Sequence, residues 1–394
     1  LTKDTIIIGA GPSGSQLAFR LAELGYEVLV VDRKAALGED VCCSGIISQQ
    51  CLESFNIDKS LILRPASSAR FVAPSGKWLR LWRDSEVAYI LDRPALDLAL
   101  ANRAREAGAN FVFDTLVIDV HVDTDRVRVT TREGNIYEAR AAVLATGFGS
   151  PLPWRLGLGR ISDHIIGAQA KVEVKGIDEV EVYFDQNLAP GGFAWLVPTR
   201  GDNGLAGLLT RRHPELCLSN LLSRLLEQGK IASAGAEMGY GAVPLRPLPR
   251  TGADRILVIG EAAGQVKPTT GGGIYYGLLC ADIAADSLHQ AFIANDFSVA
   301  KLSSYNRRWR ARLNRELRTG YWLRRFCERL SNQQIESLFH IMSGSNVPQF
   351  IAGLETLPFD WHSPLAIKLV KHLAASAPLR AARAMLAKTR GRPR

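Results

Sequence analysis

Thr5-Ile6-Ile7-Ile8-Gly9-Ala10-Gly11-Pro12-Ser13-Gly14 reads as a buried strand that runs into a glycine turn and opens a helix. The strand occupies about residues 4–9. Pro12 to Leu24 has helical spacing, with Leu17, Ala18, Leu21 and Ala22 on one face. Gly25 ends it, and Tyr26 to Val31 forms a second apolar strand closing on Asp32. Strand, helix, strand is the unit from which parallel sheets are built. The three glycines have separate tasks. Gly9 permits the tight turn, Gly11 lets the backbone approach a pyrophosphate, and Gly14 allows close helix–strand packing. The helix start turns its N–H groups and positive dipole end toward the phosphates. Asp32, about 20 residues on, offers a carboxylate to a ribose diol and disfavours a 2′-phosphate, which points to FAD or NAD rather than NADP. Gly9, Gly11, Ser13, Gly14, Asp32 and its neighbour Arg33 are the first expected cofactor contacts.

A second glycine-rich element lies far downstream. Arg255 to Ile259 reads as a buried strand, followed by Gly260-Glu261-Ala262-Ala263-Gly264. Then Pro268-Thr269-Thr270-Gly271-Gly272-Gly273-Ile274 leads into a helix predicted over Gly271 to Leu288. A carboxylate after a strand accepts a ribityl hydroxyl. A triple glycine at a helix start presents N–H groups to an anionic oxygen such as O2 of a reduced flavin. An NAD-only enzyme has no need of this element, so the pair of elements selects FAD. No second glycine turn with its own strand–helix–strand unit appears, so no dedicated NADPH domain is expected.

Between these elements the pattern changes. Residues 34–65 read as irregular. Residues 70–73 and 78–83 alternate as antiparallel strands. Asp92 to Ala107 is predicted to be a helix burying Leu96, Leu98, Leu100 and Ala104. Residues 111–137 form strand and hairpin, turning at Glu133-Gly134-Asn135, and Ala141 to Thr146 a short strand stopping at Gly147. Over 160–245 alternation dominates, with one helix near 214–228, the mark of an antiparallel sheet. Residues 297–345 are helical and basic. The expected fold class is α/β. A Rossmann-like FAD-binding domain (1–65, 90–158 and 246–292) is interleaved with an antiparallel-sheet substrate domain (66–89 and 159–245), and a basic helical region (293–394) follows.

At 394 residues with 47% apolar content, the chain is long enough for more than one core and has no disorder signature. Its six cysteines form neither a CxxC pair nor a zinc spacing with histidine, so neither a disulfide framework nor a metal site is expected. A reducing, cytoplasmic compartment fits. Vicinal Cys42 and Cys43 are not expected to bridge, because such bridges are strained. No signal peptide is read at the start, and no apolar run of about 18 residues is present to span a bilayer. The net charge of +9 gathers toward the C-terminus. Arg307, Arg308, Arg310, Arg312, Arg315, Arg318, Arg324, Arg325 and Arg329 fall in 301–330. Lys368, Lys371, Arg380, Arg383, Lys388, Arg390, Arg392 and Arg394 follow Asp360 with no further acid. Such an end either meets anionic lipid headgroups or an acidic electron donor, or is a solvated basic face. No nucleic-acid partner is expected.

These motifs together resemble the geranylgeranyl reductase family of flavoproteins, within the larger para-hydroxybenzoate hydroxylase-like fold. The likeness covers nearly the whole chain. It includes the glycine turn, Cys43-Ser44-Gly45, Tyr89-Ile90-Leu91-Asp92-Arg93, and Ala145-Thr146-Gly147. It continues through Phe193-Ala194-Trp195-Leu196-Val197-Pro198, Gly260-Glu261 with the triple glycine, and the Arg-rich helices from near Tyr305. The resemblance implies FAD contacts at Gly14, Asp32, Cys43, Ser44, Arg93, Val117, Gly147, Glu261, Gly271, Gly272, Gly273 and Ile274. The chain departs from the family where Glu261 stands for the usual Asp, Val197 for Phe, and Ser44 for a small residue of the cysteine loop. Phe193 and Trp195 share one strand face, and with Pro198 are expected either to line an apolar substrate cleft or to serve as core. Cys43 is either a small hydrophobe beside the flavin or a redox thiol. The seven histidines form no triad, so the chemistry is expected to belong to the flavin.

The expected function is reduction of carbon–carbon double bonds in a polyprenyl substrate. For this family that implies geranylgeranyl diphosphate, archaeal ether lipids, a chlorophyll tail or a quinone side chain. NAD(P)H or a ferredoxin is the expected donor, and the protein is expected to touch the cytoplasmic face of a membrane. Two alternatives stand beside this. One is a flavin-dependent monooxygenase or halogenase; flavin halogenases carry Trp-x-Trp-x-Ile-Pro, whose first Trp is Phe193 here. The other is an electron-transfer flavoprotein serving a membrane quinone.

Overall fold

Ile8, Val31, Leu144 and Val258 stand at one level, and that register positions everything that follows. Five strands run parallel in the order Ile256–Val258, Ile136–Leu144, Lys3–Ile8, Val28–Val31, Asn110–Val112. The computed structural model describes residues 2–38, 42–234, 238–355 and 359–376. Val28–Val31 and Ile256–Val258 are buried throughout, as strands covered on both faces must be. Alternate side chains serve the two faces. Ile7, Val28 and Val30 pack on the helices Pro12–Glu23, Arg93–Glu106 and Ile274–Ala294. Ile6, Ile8, Leu29 and Val31 pack on a hairpin layer, Val117–Val122 with Val127–Thr131. With the short Gly252–Ala253, these strands make one eight-stranded sheet.

Three expectations need correction. Residues 34–65 are not irregular: Ile46–Ser48 and Ile62–Ala66 flank Ala88–Leu91 in a three-stranded sheet. A short helix, Gln49–Ser54, lies between them, capped by the Ser48 side chain. These strands are too short to display alternation, and their pairing partner is distant in sequence. The strand expected from Ala141 starts earlier, at Ile136, because the outgoing arm of the hairpin continues straight into the parallel sheet. Leu98 is exposed rather than buried. Leu96, Leu100 and Ala104 recur every four residues on the inner face of their helix, and a residue two positions from Leu96 points the other way.

A seven-stranded sheet carries the order Met238–Pro244, His164–Glu173, Asn203–Thr210, Phe193–Pro198, Val180–Tyr183, Ser68–Val72, Trp78–Trp82. It is antiparallel except where Val180–Tyr183 lies parallel to Ser68–Val72. One face packs on the helix Pro214–Glu227 through Ala194, Leu196 and Leu208 against Leu218, Leu221 and Leu222. The other face looks into a cavity. The chain closes with the long basic helix Val299–Cys327, then Asn332–Gly344, Val347–Ala352 and His362–Ser376. Phe339 of the second of these helices packs on the edge of the seven-stranded sheet, beside Phe71, Leu79 and Phe184. Among the described residues no helix is long and apolar enough to cross a membrane. The basic positions Arg380, Arg383, Lys388, Arg390, Arg392 and Arg394 lie outside the described residues.

A candidate cofactor and substrate cavity

The three glycines of the first turn separate cleanly. Gly9 has φ +111, and a Cβ there would lie 2.3 Å from the Ala145 carbonyl oxygen. A Cβ on Gly14 would lie 1.9 Å from the Gly9 carbonyl oxygen. Both are demanded by the protein itself. A Cβ on Gly11 would meet nothing within 4 Å. It would project into the cavity, so Gly11 keeps space for something other than protein. The helix that follows begins without a side-chain cap, leaving its first N–H groups for a ligand. Asp32 accepts from the Ala10 N–H at 2.6 Å and the Lys34 N–H at 2.9 Å. The turn and the carboxylate are thereby locked together at the ends of two adjacent strands.

The predicted contacts converge on one cavity of about 1340 Å³. Gly9, Gly11, Ser13, Asp32 and Arg33 form one end, with Val117 and Gly147 beside them. Cys43, Ser44 and Arg93 form the middle, followed by Glu261, Gly271, Gly272, Gly273 and Ile274. Two of the expected positions lie off its lining. Gly14 does not line the cavity, because its missing side chain makes room for the Gly9 carbonyl. Pro198 does not line it either. Side chains alternate along Phe193–Pro198, so Phe193, Trp195 and Val197 face the cavity, while Pro198 falls with Ala194 and Leu196 on the helix side. Ser13 has a further task. Cβ atoms on Gly260 and Gly277 would sit 2.6 and 2.3 Å from its hydroxyl oxygen, so Ser13 wedges the first helix against the late one.

The far end is built from the late strand. Gly260–Ala263 makes a single tight turn after Ile256–Val258, and Ile274–Ala294 again starts without a side-chain cap. The Glu261 carboxyl opens to the cavity, yet protein encloses it. That burial pushes its pKa up, against the pull of Arg93 and the Phe148 amide. For Arg93, burial opposes the charge, but Cys43 and Asp97 more than offset it and hold the guanidinium protonated. Arg93 donates to Asp97 at 2.7 Å, and its Nε is buried without a partner. Cys43 Sγ accepts the Gly45 N–H at 3.4 Å. Burial, with Cys43 and Glu261 nearby, raises the Cys42 thiol to about 11, which keeps it protonated and unreactive. All six cysteines are free.

Sequence reasoning missed the knot that ties the glycine loop down. Lys267 is buried and donates to Asp360 at 2.8 Å. The Ser48 hydroxyl donates to the other Asp360 oxygen, and the Tyr276 hydroxyl to the Asp360 carbonyl at 2.8 Å. Thr269 and His362 bond at 2.5 Å. Burial, helped by Lys267, lowers the His362 pKa to about 4. Arg324 donates to the carbonyls of Pro268, Thr269 and Gly191, each at 3.2 Å. No local pattern marks these partners, since Ser48, Lys267 and Asp360 are distant in sequence.

Beyond the glycine loop the cavity becomes apolar. Phe193 and Trp195 lie 5.9 Å apart between ring centroids. Trp195 packs against Gly207, where a Cβ would come within 2.6 Å of the indole ring. Across from them Ile335, Leu338, Phe339 and Met342 turn one face of the Asn332–Gly344 helix inward. Their spacing of three, four and seven was readable as an amphipathic stripe.

The residues at the first end suit the pyrophosphate and ribose of FAD, and those at the far end suit a flavin. One offers an empty approach at Gly11, an uncapped helix start and a carboxylate. The other offers a second uncapped helix start and a second carboxylate. Residues 3–183 match the family model described as pyridine nucleotide-disulphide oxidoreductase. The chain is 32% identical over 362 residues to the digeranylgeranylglycerophospholipid reductase of Methanothrix thermoacetophila, covering 87% of this chain and 92% of that protein. Its fold matches that of a geranylgeranyl bacteriochlorophyll reductase-like protein from Thermoplasma acidophilum, with TM-score 0.82 at 24% identity, over 96% and 97% of the two chains. A halogenase in complex with FAD shares the fold at TM-score 0.67 and 17% identity, over 89% and 82%.

Proposed function

Because this chain belongs to the geranylgeranyl reductase family of FAD-dependent oxidoreductases, we propose that it adds two hydrogens across double bonds of a prenyl chain carried by a lipid. The observation that carries the reading is the continuity of a single cavity of about 1340 Å³. Its polar end fits a dinucleotide, and its other end is walled by Phe193, Trp195, Phe339 and Met342.

FAD supplies the two-electron chemistry when bound and reduced. The chain's own residues do the rest. Gly11 and the start of the Pro12 helix would receive the pyrophosphate, and Asp32 the ribose. Gly271 to Gly273 and the start of the Ile274 helix would receive the flavin, and Glu261 a ribityl hydroxyl. Phe193 and Trp195 hold the isoprenoid chain flat and exclude water. Each double bond needs two electrons and two protons, so a donor must reload the protein each turn. NAD(P)H or a ferredoxin meets that need, the latter at the basic surface. A basic chain acting on a lipid also works against a membrane face.

The test is anaerobic turnover of a geranylgeranyl lipid by purified, FAD-loaded protein with dithionite, read by mass spectrometry. The expected product gains two hydrogens per reduced bond. An unchanged lipid, or a product formed only with oxygen, contradicts the reading and favours a monooxygenase or halogenase.

A further inference from the structure

We propose that the outer face formed by the Val299–Cys327 and His362–Ser376 helices docks on an anionic lipid bilayer, with Leu323 as the sill over which a prenyl chain enters the cavity. The inference rests on the reading of the cavity as a prenyl site, and it adds the surface and the route of entry.

The two helices pack together and show opposite characters on their two faces. Inward, Leu365 and Leu369 line the large cavity. Outward, Trp322 and Val370 are each 66% exposed, with Phe326 and Ile367 exposed beside them. Buried apolar side chains on the inner face of a helix are ordinary. A second apolar set on the solvent side of the same two helices requires a partner. Its surroundings indicate which partner. Arg315 and Arg318 precede Trp322 and Phe326 on the same face of the long helix, and Lys368 and Lys371 flank Val370. Nearby acids are already engaged. Glu316 is buried and bound to Ser363, and Glu328 is held by Arg211, Arg324 and Arg325. The sequence after residue 376 adds six further cations and no acid. Tryptophan and aliphatic side chains ringed by Arg and Lys are the pattern of an interfacial helix on anionic lipid. An acidic protein would match the charge but not the exposed apolar set.

The entry route comes from one residue. A shallow outer pocket between the helices is lined by Arg315, Arg318, Trp322 and Leu323, with Ala366 opposite. Leu323 also lines the large cavity. It therefore stands at the boundary between the surface and the interior. On a docked protein, the anionic headgroup of a lipid would lie against Arg315 and Arg318 while its chain crosses Leu323 inward.

The test is flotation of the FAD-loaded protein with vesicles of phosphatidylglycerol and phosphatidylcholine, compared with phosphatidylcholine alone. Turnover is measured in parallel on vesicle-borne and on detergent-dispersed geranylgeranyl lipid. Wild-type protein is expected to float with the anionic vesicles only, less so at high salt. Two double variants, Trp322→Ser with Val370→Ser and Lys368→Glu with Lys371→Glu, are each expected to lose flotation by at least ~tenfold. They should keep full FAD content and full turnover in detergent, and lose turnover on vesicles in step with binding. Variants that float like wild type overturn the proposal, as does a wild-type protein that ignores anionic vesicles while turning over detergent-dispersed lipid. Absence of turnover in both formats instead overturns the prenyl reading, and flotation still decides the surface.

Discussion

Gly11 is where protein packing and ligand demand come apart most sharply. Because a Cβ there meets no protein atom, Gly11→Val should fold normally, with an unchanged circular dichroism spectrum, and yet purify without flavin. Gly14→Val should fail differently, since its Cβ would meet the Gly9 carbonyl at 1.9 Å. Soluble yield and helicity should fall before cofactor content becomes a question. A yellow, flavin-replete Gly11→Val protein would remove the pyrophosphate assignment. At the substrate end, Trp195→Ala should spare flavin content and lower turnover about tenfold, from the loss of roughly 1.5 kcal/mol of aromatic contact. Unchanged kinetics would leave Trp195 as packing. The glycines were legible because each needs a backbone position that other residues avoid. Pro198 was misplaced because a motif names residues by order, whereas a strand assigns them by parity, and parity favours Val197. Lys267 and Asp360 carried no signal, because an ion pair between distant positions leaves no local spacing.

At the scale of elements, the decisive link runs from the last helix to the glycine loop. Asp360 holds Lys267 and Ser48 through its carboxylate and Tyr276 through its backbone carbonyl, so two separate segments depend on one carboxylate. Removing one partner of a buried pair leaves an uncompensated charge, at about 3–5 kcal/mol. Asp360→Ala should therefore lower the unfolding free energy in urea by about that amount; a change within ~0.5 kcal/mol, the usual range for surface substitutions, would show that the knot is idle. His362 gives the same region a pH signature. Its folded pKa of about 4 lies below the ordinary histidine value of 6.5, so the unfolded chain takes up the proton first as pH falls. Stability is full above about pH 6.5 and is lost on the way to pH 4, by up to ~3 kcal/mol. Unfolding free energies of His362→Asn should fall less steeply across that window, and a parallel slope would exclude His362 as the cause. The parallel strands and their helices were readable because apolar runs bounded by glycines and helical spacing of apolar residues are local patterns. The small sheet within 34–91 was not, because three- to five-residue strands pair with partners that local pattern does not identify.

Across the whole molecule, the eight-stranded sheet brings the proposed cofactor contacts to the carboxyl ends of its strands, where ligands of open parallel sheets bind. The seven-stranded sheet turns its inner face to the cavity proposed for the substrate, and the C-terminal helices close the space between. The cofactor half was visible in the sequence because phosphate binding constrains glycine and carboxylate positions. The substrate half was less so, since an apolar cavity wall and an apolar core share one composition and only the fold tells them apart. The central claim is that the chain joins a flavin and a prenyl chain in one cavity. It is tested most directly by reducing the FAD-loaded protein under strict anaerobiosis, adding a geranylgeranyl lipid, and following the blue absorbance band of the flavin. The account predicts that the oxidised spectrum returns on addition of the lipid alone and stays bleached with a fully saturated analogue. A spectrum that stays bleached with both, and recovers only when oxygen is admitted, would contradict it.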